Sequence, residues 1–473
     1  MASAALPGNQ ASFGLDELSL LTGGTLSGTA TTRVSGVTTD SRGDVRGKLF
    51  VALRGEHFDG HRYVSEVIAN GAAAVLVEGD IGHVDAPVVR VGSTLSALGS
   101  LAHAHRARWP GKLVAIAGSA GKTTTRSAVG AVLAALAAGA VHQTPGNLNN
   151  LIGVPLVLLG LERAHRFAVI EIGTNLKGEV AELARIANAD LGVLTLIGIE
   201  HSEGLGDLDA IEEEEGALLR ALGMAGTAVG NGDDPRVARC LTRSPAGRRV
   251  RYGFGQGLEV RGVRHSLGAA RQRLSVTSAR QRLELELALL GTAGAYAALA
   301  ALAVAEELFS GGFPASALES ALDAAGEPGR LKLHELANGT VVVDDAYNAN
   351  PASALSSLGT ARELAEERSA RLVVVFGEMR ELGALSAREH TRLGEEIGRS
   401  GAAELIAVGG DARLYVDPAR AGGVTACFAE DAASALAEAR ARVRAGDVVL
   451  VKASRGVHAE RVVEGLVQGD TAS

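Results

Sequence analysis

Short, wholly apolar runs that stop at polar or glycine-rich turns recur along this chain. Leu113–Ala117, Phe167–Ile170, Leu191–Ile199, Val341–Val343 and Leu405–Val408 show no alternation of polar and apolar positions. Strands of that kind are buried on both faces, as in a parallel sheet covered by helices. Between them lie segments that read as helices, about Thr123–Ala138, Ile211–Leu219 and Ala432–Val443. The alternation predicts a doubly wound α/β architecture. Leu287–Ala305 carries no charged residue and is long enough on paper to span a membrane. It is mostly Ala and Gly, however, and alanine contributes little to bilayer insertion. A helix packed closely against its neighbours is expected there instead.

Several of these runs end on unusual chemistry. Leu113–Ala117 stops at Gly118-Ser119-Ala120-Gly121-Lys122-Thr123-Thr124, and a helix follows. Strand, glycine turn and helix together make an anion cradle. Backbone N–H groups and the helix N-terminus hold phosphate, Lys122 reaches the β/γ-phosphates, and Thr123 can ligate Mg²⁺. The chain has only six lysines, Lys48, Lys112, Lys122, Lys177, Lys332 and Lys452, so one in a glycine turn is informative. Phe167–Ile170 ends at Glu171, a carboxylate placed opposite that loop to bind Mg²⁺ directly or through water. Leu191–Ile199 delivers Glu200-His201-Ser202-Glu203-Gly204. Val341–Val343 runs into Asp344-Asp345-Ala346-Tyr347-Asn348-Ala349-Asn350-Pro351. Two carboxylates, a phenol and two amides are costly to bury together, and Pro351 blocks helix continuation. A loop at a strand's carboxyl end is where open α/β sheets bind ligands.

Composition narrows the class. At 473 residues the chain can form two to four domains. A net charge of −8 and a pI near 5.9 argue against a nucleic-acid surface. Cys240 and Cys427 lie far apart without metal-ligand spacing, which suits a reducing compartment. Met1–Phe13 has neither a basic start nor an apolar core, so no secretory signal is expected.

These segments resemble the Mur ligase family. Gly118–Thr124 is similar to its GxxGKTT loop, although Ile116 replaces the first Gly of the longer phosphate-loop pattern. Thr144–Pro155 resembles TxGNxNNxIGxP, and Asp344–Pro351 resembles DDxYNANP. Gly377–Gly383 and Leu450–Gly456 are similar to GxMxELG and LVKGSRG. Thr39-Asp40-Ser41-Arg42, Gly47–Gly55 and Asp59–His61 resemble the domain that holds the UDP end of the substrate, and Ala228–Pro235 the turn closing the central sheet. The resemblance runs from about Val37 to Val463, with the motifs in family order.

It implies three α/β domains: a small UDP-substrate domain over residues 1–110, a central ATP-binding domain with a mostly parallel sheet over 111–326, and a Rossmann-like ligase domain over 327–473. It implies catalytic roles for Lys122, Glu171, His201 and Arg330. Nucleotide contacts fall on Gly118, Ser119, Ala120, Gly121, Lys122, Thr123, Thr124, Asn147, Asp345 and Asn348. Substrate contacts fall on Ser41, Arg42, Asn149, Asn150, Tyr347, Asn350, Lys452 and Arg455, the last two suited to phosphate or to a dipeptide carboxylate. Mg²⁺ ligands fall on Thr123, Glu171, His201 and Glu215. The implied activity is amide ligation through an acyl phosphate, using ATP and Mg²⁺ to add D-alanyl-D-alanine to a UDP-muramoyl-tripeptide. Small-molecule substrates, a monomer, a cytoplasmic setting, and no nucleic-acid or membrane partner go with it.

Three departures stand out. The family's GxHNxxN segment, which sandwiches adenine, reads Gly291-Thr292-Ala293-Gly294-Ala295-Tyr296-Ala297, leaving Tyr296 to stack. Leu196 replaces an Asn before the metal-binding His. The carbamylated lysine falls on Glu215, whose reach is shorter by roughly 3–4 Å. Glu215 lies in the acidic run Glu212-Glu213-Glu214-Glu215, a pattern that ordinarily marks a solvated helix face. Two other readings stay open: an amide ligase with a different acceptor, as in folylpolyglutamate synthases, and a non-catalytic binding module.

Overall fold

The computed structural model describes residues 7–28, 33–55, 58–266 and 271–470. The expectation for Met1–Phe13 therefore lies partly outside the described residues.

Three larger sheets follow one another along the chain. The first has five strands in the order Thr25–Ser27, Val88–Val91, Ala74–Glu78, Leu49–Val51, Val37–Thr38, parallel except for the first. The second has nine. Arg282–Leu287, Gln272–Ser278 and Val260–Ser266 pair antiparallel at one edge. Arg248–Gly253, Thr227–Asn231, Leu191–Leu194, Lys112–Ala117, Phe167–Glu171 and Val141–Gln143 continue it in parallel. The third runs Lys332–Glu335, Val341–Asp345, Val448–Lys452, Leu372–Gly377, Glu404–Val408, Thr425–Ala429, with only the first pair antiparallel.

The unalternating apolar runs do lie in the middle of these sheets, buried on both faces: Leu113 to Ala117 and Val373 to Phe376 are all at most 1% exposed. Order and sequence diverge where the sheets reverse direction. In the central sheet the chain leaves Lys112–Ala117, skips a position to Val141–Gln143, returns through Phe167–Glu171, and then crosses to Leu191–Leu194. In the third sheet Val341–Asp345 and Leu372–Gly377 are separated by the late strand Val448–Lys452. Both reversals open a crevice at the strands' carboxyl ends.

Two expectations need correction. The strand expected over Leu191–Ile199 ends at Leu194, and Thr195–Glu200 leaves the sheet as a loop. Pro351 does not stop a helix but begins one, Pro351–Glu367, at the first position, where its missing N–H is no loss. The acidic run, a pattern that ordinarily marks a solvated face, is largely buried here: Glu212, Glu214 and Glu215 all face inward from the helix Leu208–Arg220. The Ala-rich segment forms Gly291–Leu308 and packs against Lys122–Leu136, where small side chains allow close approach. No helix among the described residues is long and apolar enough to cross a membrane.

Candidate active site

The loop Gly118–Gly121 joins the strand Lys112–Ala117 to the helix Lys122–Leu136. Its shape needs glycine at two points. Gly118 sits at φ 125°, and a Cβ there would lie 2.3 Å from Thr195 Oγ1. Gly121 caps the helix at φ 84°, a left-handed conformation that leaves the first helical N–H groups facing outward. The loop is held from below: Ser119 N donates to Leu196 O at 2.7 Å and Thr195 Oγ1 donates to Ala120 O at 2.7 Å. Ser119 Oγ accepts from Gly198 N at 2.9 Å. Thr124 lies half-buried in the first helical turn.

Lys122 curls back so that Nζ donates to Gly118 O and lies 3.5 Å from both Glu200 carboxylate oxygens. Burial favours its neutral form, but the charges of Glu200, Glu215 and Glu171 outweigh this and raise its pKa above the ordinary value. Thr123 Oγ1 donates to Glu171 Oε1 at 3.3 Å, and Asn149 Nδ2 donates to the same oxygen at 2.8 Å. Arg126 Nε donates to Glu171 Oε2 at 3.3 Å, while its other nitrogens reach Thr144 O and Glu327 Oε1, both at 2.7 Å. Arg330 Nη2 comes within 3.4 Å of Thr123 Oγ1 from the start of the third unit.

The acidic helix is buried for specific reasons. Glu212 is gripped by Arg236 and Arg239, each at 2.6 Å. Glu214 accepts from Gly178 N at 2.7 Å and Val180 N at 2.8 Å, at the N-terminus of Glu179–Ala187. Glu215 Oε2 accepts from Gly118 N at 2.6 Å, tying the helix to the phosphate loop, and its Oε1 is buried with no hydrogen-bond partner.

Glu200 is the residue that motif reading missed. It directly follows the loop out of Leu191–Leu194, and its side chain is 5% exposed against Lys122. Burial raises its pKa well above the carboxylate range; Lys122 opposes this and the adjacent Glu215 adds to it. The one available signal was a charged residue directly before His201 at the end of an apolar run.

The third unit supplies the other wall. Asn350 caps Pro351–Glu367 through Ser353 N at 2.9 Å, and its Nδ2 donates to Ser119 O of the phosphate loop at 2.9 Å. Two guanidinium groups approach the Tyr347 ring, Arg330 at 4.4 Å and Arg455 at 5.0 Å from its centroid. Asn348 is exposed beside it. His201, at φ 44°, pairs through Nδ1 with Glu381, and Ser202 Oγ donates to Leu382 O at 2.9 Å.

Other predicted residues are placed differently. Lys452 is 1% exposed and does not line a ligand surface; its Nζ is consumed by Asp345 Oδ2 at 2.5 Å and Asn348 O at 2.9 Å. Asp345, 5% exposed, likewise faces inward, and its Oδ2 accepts from both Lys452 Nζ and Ser357 Oγ at 2.5 Å. Asn150 Oδ1 is occupied by Gly153 N at 2.8 Å, and Asn147 is exposed on the neighbouring turn. Ser41 and Arg42 lie on a turn of the first sheet, where Arg42 pairs with Asp40 at 2.8 Å.

Beside the phosphate loop lies a cavity of about 500 Å³ bounded by Leu196, Ile197, Asp233, Pro235, Arg239 and Tyr296. The Tyr296 hydroxyl donates to Asp233 Oδ2 at 2.9 Å and its ring lies 4.7 Å from that of Phe254. Burial, then the contact with Asp233, pushes this phenol's pKa above the ordinary range.

Among the described residues no three His, Cys, Asp or Glu side chains gather closely enough to cage a metal. Mg²⁺ does not require such a cage, because it keeps several waters and takes one or two carboxylates plus substrate phosphates. The adjacent Thr123 hydroxyl and Glu171 carboxylate fit that donor set.

A phosphate loop facing buried carboxylates, overhung by a loop from a second parallel sheet, defines a multidomain nucleotide-dependent enzyme. Residues 33–106 match the Mur ligase family catalytic domain, 116–305 the Mur ligase middle domain, and 329–455 the Mur ligase glutamate ligase domain. A UDP-N-acetylmuramoyl-tripeptide--D-alanyl-D-alanine ligase of Synechocystis sp. is 32% identical over 93% of this chain and 94% of its own. The crystal structure of MurF from Acinetobacter baumannii superposes with a TM-score of 0.85 at 28% identity, covering 98% of this chain and 99% of that one. MurF ligase from Thermotoga maritima in complex with ADP gives 0.80 at 26% identity, covering 92% and 98%. This chain belongs to the Mur ligase family.

Proposed function

We propose that the chain is an ATP-dependent ligase that joins D-alanyl-D-alanine to UDP-N-acetylmuramoyl-tripeptide in peptidoglycan precursor synthesis. The bond from Asn350 to Ser119 O carries the reading, because it brings the ligase signature of the third unit onto the phosphate loop. The names of the Synechocystis and Acinetobacter proteins support the acceptor, and the ADP complex of the Thermotoga protein supports the nucleotide. We place the domains at 1–110, 111–326 and 327–473, in line with the three large sheets, and assign the enzyme to the cytoplasm as a monomer.

The backbone N–H groups of the loop and Lys122 bind the β/γ-phosphates. To do so Lys122 Nζ leaves Gly118 O and turns outward, still charged. Thr123 and Glu171 would hold Mg²⁺, which supplies charge neutralisation at the phosphates. Arg330, steadied on the Tyr347 ring, points a guanidinium at the same place and stabilises charge on the transferring phosphoryl group. The tripeptide carboxylate takes that group to give an acyl phosphate and ADP. The dipeptide amine then attacks the carbonyl carbon, and phosphate and a proton leave. Positioning and charge neutralisation do the work; no protein nucleophile is needed.

The cavity beside Leu196 takes the nucleotide base, with Tyr296 as its platform. The phenol is pinned by Asp233, so the ring is pre-oriented. Tyr296→Ala is expected to raise the Kd of an ATP analogue about tenfold or more, in line with ~1–3 kcal/mol for base–aromatic stacking, whereas Tyr296→Phe keeps the ring and most of the affinity. Isothermal titration checks this.

An acyl phosphate must be shielded from water, so the units close on their ligands. Gly326-Glu327-Pro328-Gly329 is the hinge, tied to the central domain by Arg126–Glu327 at 2.7 Å. Solution scattering is expected to show a smaller radius of gyration with ATP analogue and UDP-substrate together than with neither; identical profiles would count against closure.

The whole reading is tested by mass spectrometry of products from purified protein, ATP, D-alanyl-D-alanine and UDP-muramoyl-peptides. The pentapeptide product and ADP are expected only with all substrates present. ADP formation with another acceptor alone would favour a ligase of different specificity, and no turnover would favour a binding module.

A further inference from the structure

Gly377–Gly383 has no task in the chemistry above. The segment leaves the strand Leu372–Gly377 at its carboxyl end and meets the central unit. Its backbone is strained where it arrives: Glu381 sits at φ 64°, a left-handed conformation unfavourable for a residue with a Cβ. Gly383 follows at φ 50°, so near the opposing loop that a Cβ there would lie 3.2 Å from Glu203 Cα.

This turn receives the loop His201–Glu203. Glu203 N donates to Glu381 O at 3.1 Å, and Ser202 Oγ donates to Leu382 O at 2.9 Å. The Glu381 carboxylate holds His201 Nδ1. His201 Nε2 then lies 3.8 Å from Glu200 Oε2, and Glu200 lies 3.5 Å from Lys122 Nζ. A turn of the third unit thus sets an imidazole of the central unit beside the charges of the phosphate loop.

A buried imidazole holds the turn in place. His390, enclosed in the helix Ser386–Arg399, accepts from Met379 N through Nε2 at 3.0 Å. With Nε2 as the acceptor, the ring proton is on Nδ1, which donates to Ser386 O at 2.7 Å. The Tyr415 ring stacks on it at 5.1 Å. Burial lowers the His390 pKa against the pull of Ser386 O and of the Asp411, Glu378 and Glu389 carboxylates, which keeps the accepting, neutral form.

Resting on the ligase reading for its effect on turnover, we propose that Met379–Gly383 is a docking latch for the central unit and that His390 is its positioning residue. The latch takes up the loop His201–Glu203 as the units close, so the His201 imidazole is aimed beside Glu200 and Lys122 only in the docked arrangement. His390 touches no substrate; it fixes the direction of the turn through the Met379 amide. Nucleotide binding, carried by the central unit, does not need the latch, whereas turnover does.

Amide hydrogen exchange on the full chain reads the latch without reference to activity. His390→Phe keeps a ring against Tyr415 and removes the acceptor. It is expected to speed exchange at the Met379 and Glu203 amides about tenfold or more, and to leave the Val229 amide of the central sheet unchanged. His390→Gln, whose side-chain oxygen can accept the same N–H, is expected to restore the slow exchange. His390→Phe is also expected to lower kcat about tenfold or more with the KM for ATP unchanged, and His390→Gln to recover most of that loss. Glu381→Ala, at a half-exposed side chain, is expected to give the same faster exchange at Glu203 and the same split between kcat and KM. It decides the matter if His390→Phe does not fold. Unchanged exchange at Glu203, an acceleration shared equally by Val229, or faster exchange with kcat unchanged would overturn the proposal. A parent that makes no product would remove the ligase reading instead, and exchange at Glu203 would still decide the latch.

Discussion

Replacing Lys122 with Ala is expected to lower kcat/KM for ADP formation about 10³-fold, with the circular dichroism spectrum unchanged. The size follows from removing a preorganised charge from a transferring phosphoryl group, worth about 4 kcal/mol at roughly 1.4 kcal/mol per tenfold. Lys122 is the only lysine of the phosphate loop, and its Nζ already lies within the ring of carboxylates that will surround the phosphates. Glu200 and Glu215 lose a counter-charge in this variant, but a buried carboxyl group can take up a proton instead, so the fold survives. Steady-state kinetics with both substrates decide the matter. Turnover within tenfold of the parent would remove Lys122 from the mechanism.

The second large effect concerns stability. Asp345→Ala is expected to destabilise the third unit by about 3–5 kcal/mol, because it strands the Lys452 ammonium in the core. Lys452 has Asp345 Oδ2 at 2.5 Å and Asn348 O at 2.9 Å and is 1% exposed, with its pKa already pushed down by burial despite the carboxylate. The double variant Asp345→Leu with Lys452→Met should recover most of the loss, since it removes both charges at once. Urea unfolding of the parent and of both variants checks this. Asp345→Ala stability within about 1 kcal/mol of the parent would mean the pair is not enclosed in solution.

The same pair shows what a motif leaves unsaid about its own side chains. Asp345 and Lys452 stand in segments that contact ligands in the family pattern, so both were expected at the ligand. Their pairing depends on two strands, Val341–Asp345 and Val448–Lys452, that are neighbours in the sheet yet more than a hundred residues apart in sequence. Once paired, the two side chains satisfy each other and fix the loop that carries Tyr347 and Asn350. Asn350 and Arg330 instead reach across to the phosphate loop and the first turn of the helix that follows it, Asn350 to Ser119 O at 2.9 Å and Arg330 to Thr123 Oγ1 at 3.4 Å.

What the sequence by itself determined was local. Unalternating apolar runs announced doubly buried parallel strands, the glycine turn before Lys122 announced a phosphate loop, and the motifs in order announced the family. Each of these depends on residues within one turn or strand, where covalent geometry and side-chain periodicity decide the outcome. The tertiary structure alone decided which charges face one another. Glu212, Glu214 and Glu215 look like a solvated helix face because nothing nearby in sequence neutralises them. Their partners are Arg236, the N–H groups at Gly178 and Val180, and Gly118, all of them brought in by the sheet. Glu200 gained a role only when the fold set it against Lys122 and Glu215. Electrostatic energies in an interior depend on distance and burial, and neither is written in the order of residues along a chain.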